Sequence, residues 1–372
     1  MPMTSQEMKN VNFLHVANKI SESLLTFYNQ IKLDPLMIKV GVNGYGVIGK
    51  RVAYAVSRQD DMQLIGIAKR SPDYKAKLAR RRGISVYSSG NPDAFKGSEV
   101  KASGTLRDLL GSVDIIVDTT PEGVGEENKK IYEEAGVKAI WQGGEDHSVA
   151  GLSFNAYVNY SSAIGARYSR VVSCNTTGLV RTLFPLQKEF GIKSASAVLV
   201  RRGADPSETK KGPINALEVD KHLPSHHGAD VNTLMPSLKI STVAIKASTT
   251  LMHLHAITVD LEKEASTEDV LRTFSQYRRI ALVSIKEGIS STAQVMDIAR
   301  ELGRGDGDMY EIAVWKEMTM DAKRLQYFQA VHQEADVVPE NIDAIRAMCG
   351  IEKDPQRSID KTDANLHIGE YK

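Results

Sequence analysis

Cys174 is the residue of this chain whose surroundings most favour nucleophilic chemistry. It lies in the run VSCNTT at residues 172–177, where an apolar, strand-like segment gives way to an amphipathic, helix-like one. The N-terminal end of a helix carries about half a positive charge and several unpaired backbone N–H groups, which stabilise a thiolate and lower the pKa of a cysteine. Free cysteines are also common as small buried packing residues. The run alone therefore leaves two interpretations, a nucleophile and a packing residue.

Histidines gather in the same half of the chain. Five of the nine lie between residues 222 and 255. The run at residues 251–259 is strand-like, and side chains alternate along a strand, so His253 and His255 share one face. We favour one of these two as a base for Cys174, although buried structural hydrogen bonds are an alternative for each histidine. The pattern does not choose between them.

The adjacent pair His226 and His227 has a separate interpretation, as ligands of an anionic substrate. Metal binding by the cluster is disfavoured because the chain contains neither CxxC nor HExxH spacing. We therefore predict no metal site.

A glycine motif follows the strand-like run at residues 38–42. Gly44, Gly46 and Gly49 supply G-x-G-x-x-G and open a segment with helical spacing. In this context the first glycine permits a tight turn, the second lets a pyrophosphate approach the backbone, and the third allows close packing of helix on strand. The motif predicts a dinucleotide-binding turn.

Residues 69–71 read Lys-Arg-Ser and follow the next strand-like run. NAD-specific sites place Asp or Glu here, about 20 residues after the last glycine. A cation and a hydroxyl instead favour the 2′-phosphate of NADP, so we assign that role to Lys69 and Ser71 and expect NADP to be preferred over NAD. The alternative is that this basic run begins a solvated helix.

Strand-like and helix-like runs go on alternating as far as Gly144, which we expect near the nicotinamide. Such alternation predicts an α/β fold with a doubly wound parallel sheet, a Rossmann domain, whose ligands bind at the carboxyl ends of its strands. Longer strands with fewer helices then predict an α+β substrate domain. The expected divisions are a Rossmann domain at 37–173, a catalytic domain at 174–331, a C-terminal segment at 332–372 whose helix returns to the first domain, and an N-terminal extension at 1–36.

The extension at residues 1–36 resembles neither a signal peptide nor a transit peptide, because it has no compact apolar core and mixes acidic with basic residues. Its apolar residues recur with helical periodicity. An amphipathic helix and a start codon assigned too far upstream are both compatible with this pattern.

Composition excludes several function classes. Of the 372 residues, 42% are hydrophobic and 25% charged, which is typical of a globular protein, and the formal net charge of +1 offers no bulk attraction to nucleic acid or anionic lipid. Two cysteines are too few for a disulfide framework and suit a reducing cytoplasm. No run of 18 apolar residues occurs. We expect a cytoplasmic protein without nucleic-acid or membrane partners.

A series of motifs, in order and with close spacing from residue 37 to about residue 368, resembles the archaeal-type phosphorylating glyceraldehyde-3-phosphate dehydrogenases. The motifs are NGYGVIG at 43–49, DTTPEGVG at 118–125, QGG at 142–144, SCNTT at 173–177, RR at 201–202, KGPIN at 211–215, PSHH at 224–227, TTLMH at 249–253 and VHQE at 331–334. The resemblance implies oxidation of glyceraldehyde 3-phosphate with inorganic phosphate and NAD or NADP, through a thioester on the cysteine. It also implies a homotetramer.

Carried over residue by residue, the resemblance implies that Cys174 is the nucleophile and that His253, rather than His255, is its base. It implies substrate contacts from Ser173, Asn175, His226 and His227. It implies cofactor contacts from Val47, Ile48, Gly144, Arg202 and Gln333.

Rival functions on the same plan are an aspartate-semialdehyde reductase and an acylglutamyl-phosphate reductase, which also combine a Rossmann domain with a cysteine. The SCNTT, PSHH and VHQE runs fit the glyceraldehyde enzyme better. A rival of another class is a catalytically inactive, cofactor-sensing or RNA-binding relative, against which the intact Cys174 and His253 count.

Overall fold

The structure is a computed structural model that describes residues 37–208, 210 and 212–371. The N-terminal extension at residues 1–36, and with it the choice between a helix and an upstream start, lies outside the described residues.

The first sheet contains seven strands among the described residues, and all of its pairings are parallel. The strands are β1 Ile38–Asn43, β2 Met62–Lys69, β3 Val86–Ser88, β4 Ile115–Asp118, β5 Lys138–Gln142, β6 Ser153–Phe154 and β7 Tyr168–Val171, in the order β3-β2-β1-β4-β5-β7-β6. The helices between them are α1 Gly49–Ser57, α2 Tyr74–Arg81, α3 Leu106–Leu110, α4 Val124–Ala135, α5 His147–Ala150 and α6 Ala156–Asn159. The strand order reverses between β1 and β4, which opens a crevice at the carboxyl ends of the strands.

Both faces of this sheet are covered by apolar residues. Along β4, Ile115 and Val117 pack into one hydrophobic cluster, and Ile116 between them packs into another on the opposite face. Parallel strands that are buried on both sides read as continuous apolar runs, which is why the sequence shows no alternation here. The predicted doubly wound parallel sheet is confirmed.

The second sheet is mixed. Its strands are β8 Ile192–Arg202, β9 Glu218–Val219, β10 Ile240–Ala247, β11 His253–Leu261, β12 Ile280–Val283, β13 Ile312–Trp315, β14 Thr319–Asp321 and β15 Arg324–Val331. They lie in the order β12-β13-β15-β11-β8-β10-β9, with β14 paired to β15. The helices that follow the first sheet along the chain are α7 Cys174–Phe190, α8 His226–Asn232, α9 Thr267–Ser275, α10 Thr292–Glu301, α11 Val338–Cys349 and α12 Pro355–Asn365. This arrangement confirms the predicted α+β second part.

The helix α7 fixes the position of Cys174, its first residue. It packs across β8, β11 and β15, and its apolar stripe, including Leu179 and Leu183, joins Ile257 and Val259 of β11 in one core. It ends at Phe190 and is followed by Gly191, which adopts φ +69°. This packing fixes the start of α7 relative to the second sheet.

The C-terminal helix α11 packs against α1 and against strands β5 and β7 of the first sheet. A buried ion-pair cluster ties it to the second half. Arg181 of α7 lies 2.7 Å from Glu340, and Arg279 lies 3.1 Å from Glu340 and 2.5 Å from Asp343. The cluster therefore links α11 to α7 and to Arg279, and loss of one member would leave an uncompensated buried charge.

Candidate active site

Glycines shape the turn between β1 and α1. Gly44 adopts φ +94°, and a Cβ there would lie 2.9 Å from the backbone of Thr119; a Cβ at Gly49 would collide with the carbonyl oxygen of Gly44. At Gly46, in contrast, no atom lies within 4 Å of the place a Cβ would take. Among the described residues, no side chain caps the start of α1. The turn therefore has open space beside its backbone and a helix N-terminus suited to a pyrophosphate.

The end of β2 holds a cation that is already paired. Lys69 Nζ lies 2.8 Å from Asp73 Oδ2, and Ser71 is exposed. Partial burial would raise the pKa of Asp73, but hydrogen bonds from Lys69 and from the backbone N–H of Ala76 hold it below its ordinary value. The sequence prediction named the cation and missed the carboxylate four residues later that neutralises it.

A cavity of about 990 Å³ opens beside the glycine turn and reaches both halves of the fold. Eleven predicted site residues lie on its wall: Val47, Ile48, Gly144, Ser173, Cys174, Asn175, Arg202, His226, His227, His253 and Gln333. The other five, Gly44, Gly46, Gly49, Lys69 and Ser71, do not line it. The three glycines build the turn that carries Val47 and Ile48 to the wall.

Cys174 lies at the first position of α7, with Ser173 as the N-cap residue whose hydroxyl accepts the backbone N–H of Thr176 at 3.4 Å. Burial raises the pKa of the Cys174 thiol to about 12, and the nearby Asp336 carboxyl adds to the rise. Arg201 and Arg202 act in the opposite direction without overcoming burial. The sequence prediction of a lowered pKa is wrong, because desolvation outweighs the helix N-terminus. The thiol is protonated and requires a base.

The structure separates the two histidines of β11. His253 lines the cavity, whereas His255 has no exposed surface and lies beneath it. His253 Nδ1 accepts the backbone N–H of Arg202 at 2.9 Å. Burial, followed by the charges of neighbouring histidine and arginine side chains, holds the pKa of His253 well below its ordinary value. The ring is therefore neutral and carries its proton on Nε2. Within the described part of the chain, no hydrogen bond joins His253 to Cys174.

The adjacent histidines of α8 differ in the same way. Their rings stack with centroids 4.0 Å apart, but His226 is exposed and His227 is buried. The ring nitrogens of His227 lie 3.3 Å from Asn175 Nδ2 and 3.0 Å from Ser225 Oγ. Burial, with the charges of His226 and Arg201, lowers the pKa of His227 to about 3. The pair therefore presents the exposed ring of His226 to the cavity, and the buried, neutral ring of His227 stacks against it.

Glu334 connects the glycine turn with the end of β8. One carboxylate oxygen lies 2.9 Å from Arg51 Nη2, and Arg51 in turn donates to the carbonyl oxygen of Val47 at 2.7 Å. The other oxygen lies 3.0 Å from Arg202 Nη1. The Gln333 amide oxygen, turned toward the same guanidinium, accepts from Nη1 at 2.7 Å. These contacts bring the predicted cofactor residues of distant segments to one wall.

Comparison with known proteins agrees with this geometry. Residues 173–317 match the family described as glyceraldehyde 3-phosphate dehydrogenase, C-terminal domain. A glyceraldehyde-3-phosphate dehydrogenase of Thermoplasma volcanium is 54% identical over 334 residues, which cover 89% of this chain and 98% of the relative. Those of Picrophilus torridus and Methanococcoides burtonii are 52% and 51% identical over 334 residues, covering 89% of this chain and 97% and 99% of the relatives. The chain belongs to the glyceraldehyde-3-phosphate dehydrogenase family. The resemblance inferred from the motifs is confirmed.

Arg201 also lines the cavity, although the sequence pattern predicted no role of its own for it. Its ion pair with Asp220 is 3.8 Å long, and its buried Nε has no hydrogen-bond partner among the residues that the structure describes. Arg202, by comparison, is held by Glu334 at 3.0 Å. The RR run is visible at the end of its strand, but the run does not show which arginine is neutralised. Arg202 pairs with Asp205, three residues later, and with the distant Glu334. Arg201 is thus the less compensated of these two cations.

Among residues 37–208, 210 and 212–371, no group of three or more His, Cys, Asp or Glu side chains is arranged to hold a metal ion. None of the helices described is long and apolar enough to span a membrane.

Proposed function

We propose that this member of the family catalyses the NAD(P)-dependent, phosphorylating oxidation of glyceraldehyde 3-phosphate to 1,3-bisphosphoglycerate. The observation that supports this most strongly is the shared cavity, which brings Cys174, His253 and an incompletely paired arginine, Arg201, to the wall beside a dinucleotide-type turn. The names of the relatives support the same substrate.

The residues present fit a nicotinamide dinucleotide. The open space at Gly46 and the uncapped start of α1 suit a pyrophosphate, while Val47, Ile48 and Gly144 lie on the same wall as Arg202 and Gln333. When bound, the cofactor supplies a hydride acceptor. We assign the binding role to the predicted set Gly44, Gly46, Val47, Ile48, Gly49, Lys69, Ser71, Gly144, Arg202 and Gln333.

Cys174 performs the covalent chemistry in this proposal. Its thiol loses a proton and the sulfur adds to the aldehyde carbon, forming a hemithioacetal. Loss of hydride and of the hydroxyl proton converts this adduct to a thioester. An oxygen of inorganic phosphate then attacks the acyl carbon, the C–S bond breaks, and Cys174 leaves as a thiolate.

His253 is the acid–base group of the proposed reaction. With Nδ1 accepting from Arg202, its Nε2 carries a proton that can stabilise negative charge on the substrate oxygen. To act as a base for Cys174 at Nε2, the ring must first move that proton to Nδ1. This requires the Arg202 N–H to turn away.

Substrate anions are bound by the opposite wall. Ser173, Asn175, His226 and His227 are the predicted contacts, and we add Arg201 because its charge is incompletely neutralised. Charge-assisted hydrogen bonds from such a guanidinium to phosphate are about twice as strong as neutral ones.

An assay of NADP reduction by the purified protein tests the proposed function. Glyceraldehyde 3-phosphate should be oxidised continuously only when inorganic phosphate is present, and aspartate semialdehyde and N-acetylglutamate semialdehyde should be poor substrates. Equal or faster oxidation of either alternative aldehyde would assign the chain to another substrate, and absence of all activity would support a catalytically inactive relative.

Cofactor preference gives a prediction that rests on the Lys69–Asp73 pair. NADP should bind better than NAD, because a 2′-phosphate adds about 1.5 to 2 negative charges beside Lys69 and Ser71. Asp73→Asn keeps a helix-capping side chain but removes the competing carboxylate, so the NADP preference should rise; Lys69→Asp should reverse it. A charge-assisted contact worth about 1.5–3 kcal/mol corresponds to a shift of about 10-fold to 100-fold in the ratio of kcat/KM values.

Steady-state kinetics with both cofactors measure these ratios, and added salt should weaken the preference by screening a contact that is partly open to solvent at Ser71. If both variants keep the wild-type ratio, residue 69 points away from the ribose and the basic run is a solvated helix face.

The resemblance also supports a homotetramer in the cytoplasm, and we propose both for this protein. We keep the domain boundaries at residues 37–173, 174–331 and 332–372, supported by the packing of α11 against the first sheet.

A further inference from the structure

His255 has no role of its own in the proposed reaction, but it lies in a buried series of hydrogen-bonded polar side chains. Its Nε2 lies 3.0 Å from Asn175 Oδ1, and its Nδ1 lies 3.1 Å from Gln329 Nε2. The exposed fractions of His255, Asn175 and Gln329 are 0%, 3% and 0%. Buried polar groups of this kind are costly unless each finds a partner, so the orientation of each is set by its neighbours.

The direction of donation begins in the core. The Tyr327 hydroxyl donates to Thr182 Oγ1 at 3.0 Å, and the Thr182 hydroxyl donates to Gln329 Oε1 at 2.8 Å. Because the amide oxygen of Gln329 is used, its N–H group faces His255 Nδ1, which must accept. His255 therefore carries its proton on Nε2 and donates it to Asn175 Oδ1.

The direction continues on the other side of Asn175. With its oxygen accepting from His255, Asn175 donates from Nδ2 to His227 Nε2 at 3.3 Å. His227 then carries its proton on Nδ1 and donates to Ser225 Oγ at 3.0 Å. Ser225 in turn donates to Thr242 Oγ1 at 2.8 Å, and Thr242 donates to the carbonyl oxygen of Ser225 at 3.0 Å. Each group in the series, from Tyr327 to Thr242, therefore donates to the next one.

Neither His227 nor His255 is charged in this series of hydrogen bonds. Burial, followed by the charge of Arg201, lowers the pKa of His255 to about 3, and His227 has a pKa of about 3 for the same reasons together with its neighbour His226. A proton added to either ring would place two N–H groups face to face. Both nitrogens of His227 are thus occupied within the protein.

We propose that His255 is a positioning residue of this active site: by orienting the Asn175 amide it fixes His227 as the neutral Nδ1–H tautomer, which supports the stacked ring of His226. The inference rests on the proposed function for its consequence. The substrate phosphate is then bound by His226 and Arg201, with His227 holding the shape of that subsite rather than supplying charge.

Two substitutions at the same buried position test this role. His255→Gln can place an amide N–H near the position of Nε2 and keep the bond to Asn175, whereas His255→Asn reaches only the position of Nδ1 and keeps the bond to Gln329. The KM for glyceraldehyde 3-phosphate should rise about 10-fold or more in His255→Asn and stay within about threefold of wild type in His255→Gln. The KM for NADP should change by less than about twofold in both, since the cofactor wall is not touched.

A merely structural role would affect the two variants alike. Equal increases in the substrate KM, or parallel increases for substrate and NADP, would overturn the proposal. The tautomers provide a second readout that needs neither activity nor a variant that folds. Long-range ¹H–¹⁵N spectra of histidine-labelled wild-type protein should show His227 protonated at Nδ1 and His255 at Nε2. The reverse pattern would overturn the proposal, while absence of activity together with the expected tautomers would contradict only the proposed function.

Discussion

Cys174→Ser is expected to lower dehydrogenase activity by at least about 1,000-fold while leaving NADP binding unchanged. A serine alkoxide is far harder to form than a thiolate, and the buried position of residue 174 disfavours an anion further. The cofactor turn contacts other segments, so the dissociation constant for NADP should stay within about twofold. Turnover of glyceraldehyde 3-phosphate and NADP titration of the same preparation measure the two effects.

Cys349→Ser is the matched control, because it removes the other cysteine of the sequence. Cys349 ends α11, and burial raises its pKa to about 12. It does not line the cavity, so this variant should keep nearly wild-type activity. Substantial residual turnover in Cys174→Ser, or a comparable loss in Cys349→Ser, would remove Cys174 from the mechanism.

His253→Asn is expected to slow turnover by about 100-fold to 10,000-fold, the usual contribution of a positioned acid–base group. The asparagine oxygen can still accept the Arg202 N–H that His253 Nδ1 accepts at 2.9 Å, but the variant lacks a group at Nε2. The loss of activity in His253→Asn should therefore appear in kcat. His255→Asn should cost much less and act mainly on the substrate KM.

Iodoacetamide labelling of Cys174 adds an independent readout for the same pair. Alkylation should slow in His253→Asn because the variant lacks the ring that can accept the thiol proton once its own Nε2 proton has moved to Nδ1, and it should stay close to wild type in His255→Asn. A larger loss of kcat in His255→Asn than in His253→Asn would show that the choice between the two histidines is wrong.

Local patterns predicted most of the framework correctly. The apolar strands followed by helices specify a parallel doubly wound sheet because each unit of about 30 residues carries its own periodicity. The turn at Gly44 and Gly49 could be predicted since its steric demands come from adjacent residues. The end of α7 at Gly191 is another local signal.

The protonation states could not be predicted, because they depend on side chains that are far apart in the sequence. The sequence placed Cys174 at a helix start correctly, but its pKa is set by burial and by Asp336 of a distant segment. Burial, followed by the charges of His226 and Arg201, lowers the pKa of His227 to about 3, and Asn175, 52 residues earlier, occupies one of its nitrogens. Asp73, only four residues from Lys69, could have been noticed by testing helical spacing for an oppositely charged partner.

The central claim, a thioester on Cys174 that inorganic phosphate releases, is tested most directly by single turnover without phosphate. Enzyme mixed with glyceraldehyde 3-phosphate and NADP should give one burst of NADPH per active site and then stop. Mass spectrometry of the quenched protein should find one phosphoglyceroyl group on the peptide that contains Cys174, and added phosphate should discharge it as 1,3-bisphosphoglycerate. Continuous NADPH formation without phosphate, or an acyl group on any other residue, would contradict the account.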